Sequence, residues 1–470
     1  MEKIKKYFSL RLPAKASMWY IASSVVARGI GALSTPIFTR LLSAAEYGVY
    51  PLYLSWLTVA SVIVSLELSG GAIYRGLQKY GDRKDEFLSS AFGLFLTVFI
   101  GFCALYFSFS YFINSLTGLS TFITTLMLVE IFANTVIGFY TAKARFEYRY
   151  KSVSALSLIS ALSSVLLSVV IILLSDAKGE ARIIGSVIAL CATGTYALFM
   201  LLKNSKGIYS KEVWLFLLKV NVPLLPHYFS ISLIMRIGEI AVAKGFGKEA
   251  LGKYSVAVSL GMALTIITSG ILSALSPWII RKIKAKETEN IRELLLLITK
   301  ALCLICLLLL SCAPELLAIL TPPDFHSVLP VVYPIAISVI PIFLSNALTS
   351  AEMYFEKSIL TAIPSVITAT VSVLLTLSIL PRVDYRFVGL FVLFAYSLLT
   401  LLNVLVYKQI SGQNPIHVKP TLVSILLTAL YSVILFIFRD VMLSRIILAL
   451  PLLPVLFILG KQAYGKIKEI

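Results

Sequence analysis

Apolar and polar positions along this chain fall in long blocks and do not alternate residue by residue. Each apolar block is long enough to cross a hydrocarbon core of about 30 Å as a helix of about 20 residues. Fourteen such spans are read, near 18–39, 47–68, 87–112, 119–141, 153–174, 182–202, 222–243, 251–274, 293–320, 328–353, 359–380, 387–407, 420–438 and 443–460. Only "RDVMLSR" separates the last two. The blocks lack the period-two pattern of barrel strands, so their backbone groups must be satisfied within helices. The pattern predicts an all-α polytopic membrane protein.

Composition agrees with the pattern. The chain is 59% hydrophobic with a mean hydropathy of +0.92, whereas soluble domains lie nearer about 45–50% apolar. The basic start "MEKIKKYFSLRLPAKAS" looks like the n-region of a signal peptide. The run that follows is too long for an h-region and offers no small-residue cleavage site, so a retained first helix is expected. Charge then orients the spans. With the N-terminus inside, 28 of the 41 Lys and Arg fall on inner segments and 10 on outer loops, leaving Arg28, Arg236 and Lys300 within spans. That bias places both termini in the cytoplasm. The net charge of +18 is therefore mostly topology and not a nucleic-acid surface.

Several chemistries are excluded. The five cysteines all lie in apolar segments, and the C-x-x-C of Cys303 and Cys306 has no second pair, so they read as buried small hydrophobes. No G-x-x-x-x-G-K-[ST] is present, and "GFGKEA" (245–250) lies between two membrane helices with no strand before it. Loops are too short for an extramembrane domain, so the work is expected inside the bilayer, without cofactor or metal.

The chain also repeats itself. "SAAEYGVYPLY" (43–53) and "GKEALGKYSVA" (247–257) both carry G-x-Y, with Gly48 and Tyr50 matching Gly252 and Tyr254 at an offset of 204. Arg40 falls on Lys244 at the same offset, and "EYRYKS" (147–152) resembles "YFEKS" (354–358). The expected organisation is a six-helix bundle over 1–205, a second in the same orientation over 206–415, and two added helices over 416–470. Two parallel bundles about an axis along the membrane normal are an alternating-access architecture.

"STPIFTRLLSAAEYGVYPLYLSW" (34–56) and "LKVNVPLLPHYFSISLIMRIGEIAVAKGFGKEALGKYSVAVSLG" (218–261) resemble the first-to-second and seventh-to-eighth helix segments of Wzx-type flippases. These form the polysaccharide transporter branch of the multidrug/oligosaccharidyl-lipid/polysaccharide exporter (MOP) superfamily. The acidic position of the seventh helix, more often aspartate there, is Glu239 here and lacks the usual following arginine. The resemblance implies a multi-pass inner-membrane flippase, not an enzyme. Its cargo would be a polyprenyl-diphosphate-linked oligosaccharide for O-antigen, capsule or exopolysaccharide, moved through a cationic cavity. Its partners would be membrane lipids, polysaccharide polymerase and chain-length machinery.

A diphosphate crossing the bilayer needs buried cations, and a glycan needs hydroxyl, amide and aromatic partners. Arg28 lies mid-span, at about 2.5–3.5 kcal/mol on insertion scales. Its same-face neighbours are Ser24, Gly31 and Thr35, while Val25, Ile30, Leu33 and Ile37 suit lipid or packing. The alternative is a structural pair with Glu130. Arg236 shares a face with Ser232 and Glu239, so cargo contact and an internal ion pair are both open. His227 follows Pro223 and Pro226, which can kink the span, and Arg75 stands at the inner mouth. For coupling to H+ or Na+, the candidates are Glu130 with Asn134 one turn on, then Glu239 and Glu67. A multidrug exporter of the same superfamily would favour acids over buried arginines. A polysaccharide polymerase or ligase would need a large outer loop.

Overall fold

The computed structural model describes residues 12–468 apart from Asn204, Lys206, Glu356 and Lys357. The basic first eleven residues, and the Glu356–Lys357 pair of the "YFEKS" match, lie outside the described residues. Among those described, every regular element is helical.

Up to residue 202 the described chain runs α1 (Leu12–Leu41), α2 (Ala44–Ser65), the short α3 (Gly71–Lys79), α4 (Lys84–Ser108), the short α5 (Ser110–Thr117), α6 (Thr121–Phe146), α7 (Tyr150–Leu174) and α8 (Lys178–Leu202). After α9 (Lys211–Asn221), it runs α10 (Leu225–Gly261), α11 (Thr265–Lys284), α12 (Thr288–Ser311), the short α13 (Ala313–Leu320), α14 (Leu329–Glu352), α15 (Ser358–Ile379) and α16 (Val388–Ser411). The chain ends with α17 (Val418–Ile437), α18 (Met442–Ala449) and α19 (Leu452–Lys468).

Among the described residues, thirteen helical stretches are long and apolar enough to cross a membrane. The longest, Lys211–Lys284, has 74 residues and turns at Gly247 (φ 84°, ψ 178°). That backbone conformation is open to glycine and closed to most other residues. The stretch therefore holds two crossings, and the total is fourteen. The structure also refines three of the expected spans. The third breaks at Phe109 into α4 and α5, the ninth breaks at Cys312 into α12 and α13, and the last divides into α18 and α19.

Two helix starts recur at nearly the offset of the G-x-Y match. Lys84 and Thr288 open corresponding helices 204 positions apart, and Ser110 and Ala313 open corresponding short helices 203 apart. Local signals set the boundaries. Gly118 closes α5 in the left-handed region (φ 68°), and the Ser120 hydroxyl caps α6 by accepting from the Ile123 amide.

Residue contacts divide the chain into two units. One comprises 1–42 and 49–229, the other 43–48 and 230–470. The division thus falls between Phe229 and Ser230, within α10. The core of the first unit is aromatic, built on Phe87, Phe92, Phe95, Phe139 and Tyr140. Charges near one end of it are matched, with Lys143 on Asp85 and Lys84 on Glu147 (2.6 Å).

The second unit is centred on α14, the most buried crossing helix, around aliphatic residues such as Leu294, Leu295, Ile298 and Leu302. Its α18 is fixed by Arg445, only 3% exposed, which donates to both carboxylate oxygens of Glu315 and to the Ser311 carbonyl. The guanidinium holds the Glu315 carboxyl below its ordinary range. Arg445 is therefore an internal ion-pair partner and not a loop charge.

The matched glycines meet in the second unit, to which Ser43–Gly48 belongs. A Cβ on Gly48 would lie 1.9 Å from the Lys248 carbonyl oxygen, and one on Gly252 would lie 2.0 Å from that of Ala44. Neither contact can be relieved by a side-chain rotation, because the obstacle is backbone. Gly48→Ala and Gly252→Ala are each expected to lower the apparent melting temperature of the purified protein by several degrees, an overpacking cost of about 1–3 kcal/mol. Gly270→Ala, where nothing lies within 4 Å of the added carbon, is the control and should be neutral or stabilising in thermal unfolding followed by size-exclusion chromatography.

Candidate functional site

In the first unit, α1 presents Arg28 as an exposed residue midway along its apolar length, with Ser24 and Gly31 also exposed. Thr35 differs from this group. It is 8% exposed, and its carbonyl accepts from the Thr39 hydroxyl. The predicted stripe is therefore open over Ser24–Gly31 and closed at Thr35.

Glu130, on α6, is 4% exposed. Its Oε2 accepts from the Tyr53 hydroxyl at 2.6 Å, and the Asn134 side chain one turn on is a second neutral polar group acting on it. The carboxylate is thus matched by a phenol and an amide, and the Arg28–Glu130 pair is not formed. Tyr53 lies 77 positions from Glu130, so helical spacing could not have revealed it.

At one end of the same unit, Glu67 sits in the turn after α2 with φ 50°, a left-handed conformation that side chains other than glycine rarely adopt. Burial raises its carboxyl above the ordinary range. Glu67 and exposed Arg75 both act electrostatically on Tyr228. Tyr228 is next in sequence to buried His227, whose ring it meets edge-on at 5.6 Å. The helix break expected at the prolines is present as a 3-10 turn over Val222–Leu224. Glu67, Arg75 and His227 therefore gather around Tyr228, away from Glu130.

In the second unit Arg236 forms the internal ion pair. Its Nη1 donates to Glu239 Oε2 at 2.8 Å, with the carboxylate side chain 6% exposed and the guanidinium 23%. Tyr254 stands within electrostatic reach of Glu239, and Tyr396 of Arg236. A buried pair of this kind resists removal of either member, because a lone charge would remain.

Two features escaped the sequence reading. Arg182, at the start of α8, counts by position among the loop cations, yet it is 9% exposed and held between two aromatic rings. Glu352, at the end of α14, is fully buried with neither oxygen hydrogen-bonded among the described residues. The only local signal for either was an ionisable residue beside an apolar run.

A family model described as "Polysaccharide biosynthesis protein" matches residues 14–283. No curated protein matches the chain. Among solved structures, "Lipid II flippase MurJ, inward closed conformation" has a TM-score of 0.69 at 14% identity, covering 95% of this chain and 99% of that one. An inward-facing multidrug resistance MATE family transporter of the MOP superfamily has a TM-score of 0.64 at 11% identity, covering 82% and 95%. At these identities the likeness shows a shared fold.

The Glu130 geometry makes a direct prediction. Tyr53→Phe should destabilise the protein by about 1–3 kcal/mol, because it strips a charge-assisted hydrogen bond from a buried carboxylate. In a Glu130→Gln background the same change should cost less, and thermal unfolding of the four proteins as a double-mutant cycle measures the difference. Equal costs in both backgrounds would show that the phenol does not serve the carboxylate.

Proposed function

The chain belongs to the polysaccharide biosynthesis protein family, whose model spans more than half its length, and we propose that it is a flippase for polyprenyl-diphosphate-linked oligosaccharide. It works from the cytoplasmic to the outer leaflet of the plasma membrane, by alternating access, and carries no enzymatic step of its own. The observation that carries this reading is Arg28, a guanidinium exposed midway along an apolar crossing helix. Such a charge is costly in hydrocarbon and suits an anionic headgroup that must itself pass the bilayer's middle. The lipid tail can stay in the membrane while the diphosphate and glycan follow the protein.

Roles for the remaining residues follow from their surroundings. Ser24 supplies a hydroxyl beside Arg28, and Arg75 draws the diphosphate at the entry end. Arg236 is largely neutralised by Glu239, so it orders its own unit more than it meets cargo. Glu130 is the coupling carboxylate, for H+ or Na+, because its partners are neutral groups that can stay in place through a change of ionisation. Polysaccharide polymerase and chain-length machinery would receive the exported units. The shared fold of a solved lipid II flippase supports this reading. The equally shared fold of a multidrug transporter keeps one competitor, a cation-coupled drug exporter. Arg28 argues against it, since a cationic drug would be repelled.

The test compares Arg28→Ala with Arg28→Lys in a host lacking the protein, with lipid-linked oligosaccharide measured in each leaflet. The alanine variant should lose export by at least about tenfold, the effect of roughly 1.4 kcal/mol. The lysine variant should fall between it and the native protein, because it keeps the charge and loses the planar fork. Native export by both variants at native membrane abundance would remove the proposal's main support.

A further inference from the structure

Arg182 opens onto a cavity of about 250 Å³ in the first unit, lined by residues of α1, α2, α7 and α8. Its Cζ lies 4.1 Å from the ring centroids of both Phe38 and Tyr50. Contacts of this kind use the faces of the guanidinium, whereas its N–H donors point outward in its plane. The rings also displace water, so a charge beside this group is screened less than at an open surface.

Ser34, Ser164 and Ser168 add hydroxyls to the lining. A second cavity of about 300 Å³ shares Ser164 and Ala161 with the first and is lined further by Ser157, Ser160 and Asn134. Ser157, Ser160, Ser164 and Ser168 are three or four residues apart, so they follow one face of α7. Leu162, Leu166 and Val170 of that helix are exposed apolar residues. No acidic residue lines either cavity. Together they offer one cation on an aromatic seat, followed by hydroxyl and amide groups, in a space of sugar size.

We infer that the first unit holds an internal binding site for a hydroxyl-rich anion, a carboxylate or phosphate on a sugar-sized polyol body. Arg182 takes the anion, and Ser164, Ser160 and Asn134 take the hydroxyls. Such a ligand has two sources, an acidic sugar of a glycan or the headgroup of an anionic lipid. The site is also wired to Glu130. Tyr50 stacks on Tyr53 at 6.3 Å, Tyr53 donates to Glu130, and Asn134, one turn from Glu130 on the same helix, lines the second cavity. The inference rests on this geometry and is independent of the direction or nature of transport.

The test uses the full chain with its five cysteines replaced and a single Ser164→Cys, in detergent. Labelling rates with anionic and cationic methanethiosulfonate reagents are compared with those of a variant retaining only the exposed Cys312. Relative to Cys312, the cysteine at 164 should favour the anionic reagent by about tenfold, the scale on which a focused charge enriches a counter-ion. Arg182→Gln should abolish the preference and Arg182→Lys should keep it. Glucuronate and glycerol phosphate are then tried as protectants, with glucose as the neutral control. Protection by either anion supports the site, and the better protectant identifies the source. A preference that survives Arg182→Gln, or equal protection by glucose and the anions, overturns the inference. If Arg182→Gln is not monodisperse, Arg182→Lys decides. Its protection should be weaker than native because the fork is lost, and unchanged protection would count against Arg182 as the contact.

Discussion

A polar group inside a hydrocarbon layer has to find its partner within the protein, because no water is there to serve it. This constraint organises the polar side chains of both units. Glu130 is held by a phenol and an amide, Arg236 by a carboxylate one turn away, and Arg445 by a carboxylate 130 positions distant. Each solution is local to one unit. The same rule makes the exceptions informative. Glu352 is such a case, fully buried without a hydrogen bond on either oxygen among the described residues.

The two units order their helices alike and carry different sets of polar groups. Corresponding helices break at Phe109 and Cys312, and each is followed by a short helix of eight residues. α6 packs on α8 as α14 packs on α16. The chemistry placed on these helices differs between the two units. The first holds its buried acid with neutral donors and carries an aromatic-seated arginine. The second cancels its arginine against an acid on the same helix face. A scaffold repeated for packing need not repeat its electrostatics, because packing depends on shape along whole helices and electrostatics on a few side chains.

Much of the fold was legible because its causes are local. Apolar blocks of crossing length give the spans, and a glycine that needs φ near +84° marks the turn at Gly247 that separates two of them. The Arg236–Glu239 pair was legible because three residues along a helix place both side chains on one face. The G-x-Y match was visible as a pattern, but its reason was not. That reason is the mutual close approach of Gly48 and Gly252, which only the packed backbone displays. Sequence boundaries failed where a span bends, at Phe109 and Cys312, because hydropathy continues through a break that hydrogen bonding does not.

Arg182 was illegible for a different reason, and it shows what sequence patterning leaves out. By position it belongs to a short polar connection, where an arginine reads as an ordinary solvated charge. Its surroundings come from Phe38 and Tyr50, each more than 130 positions earlier, and from the serine face of α7. None of these residues is unusual alone, since aromatic and serine residues are common in membrane helices. Their meaning arises when packing removes water from the guanidinium's faces. Arg28 is the reverse case, conspicuous in sequence because it interrupts an apolar run and exposed in the structure. Cost in a sequence is therefore a guide to charges the chain tolerates in the open. Charges it has already enclosed are seen only through long-range contacts.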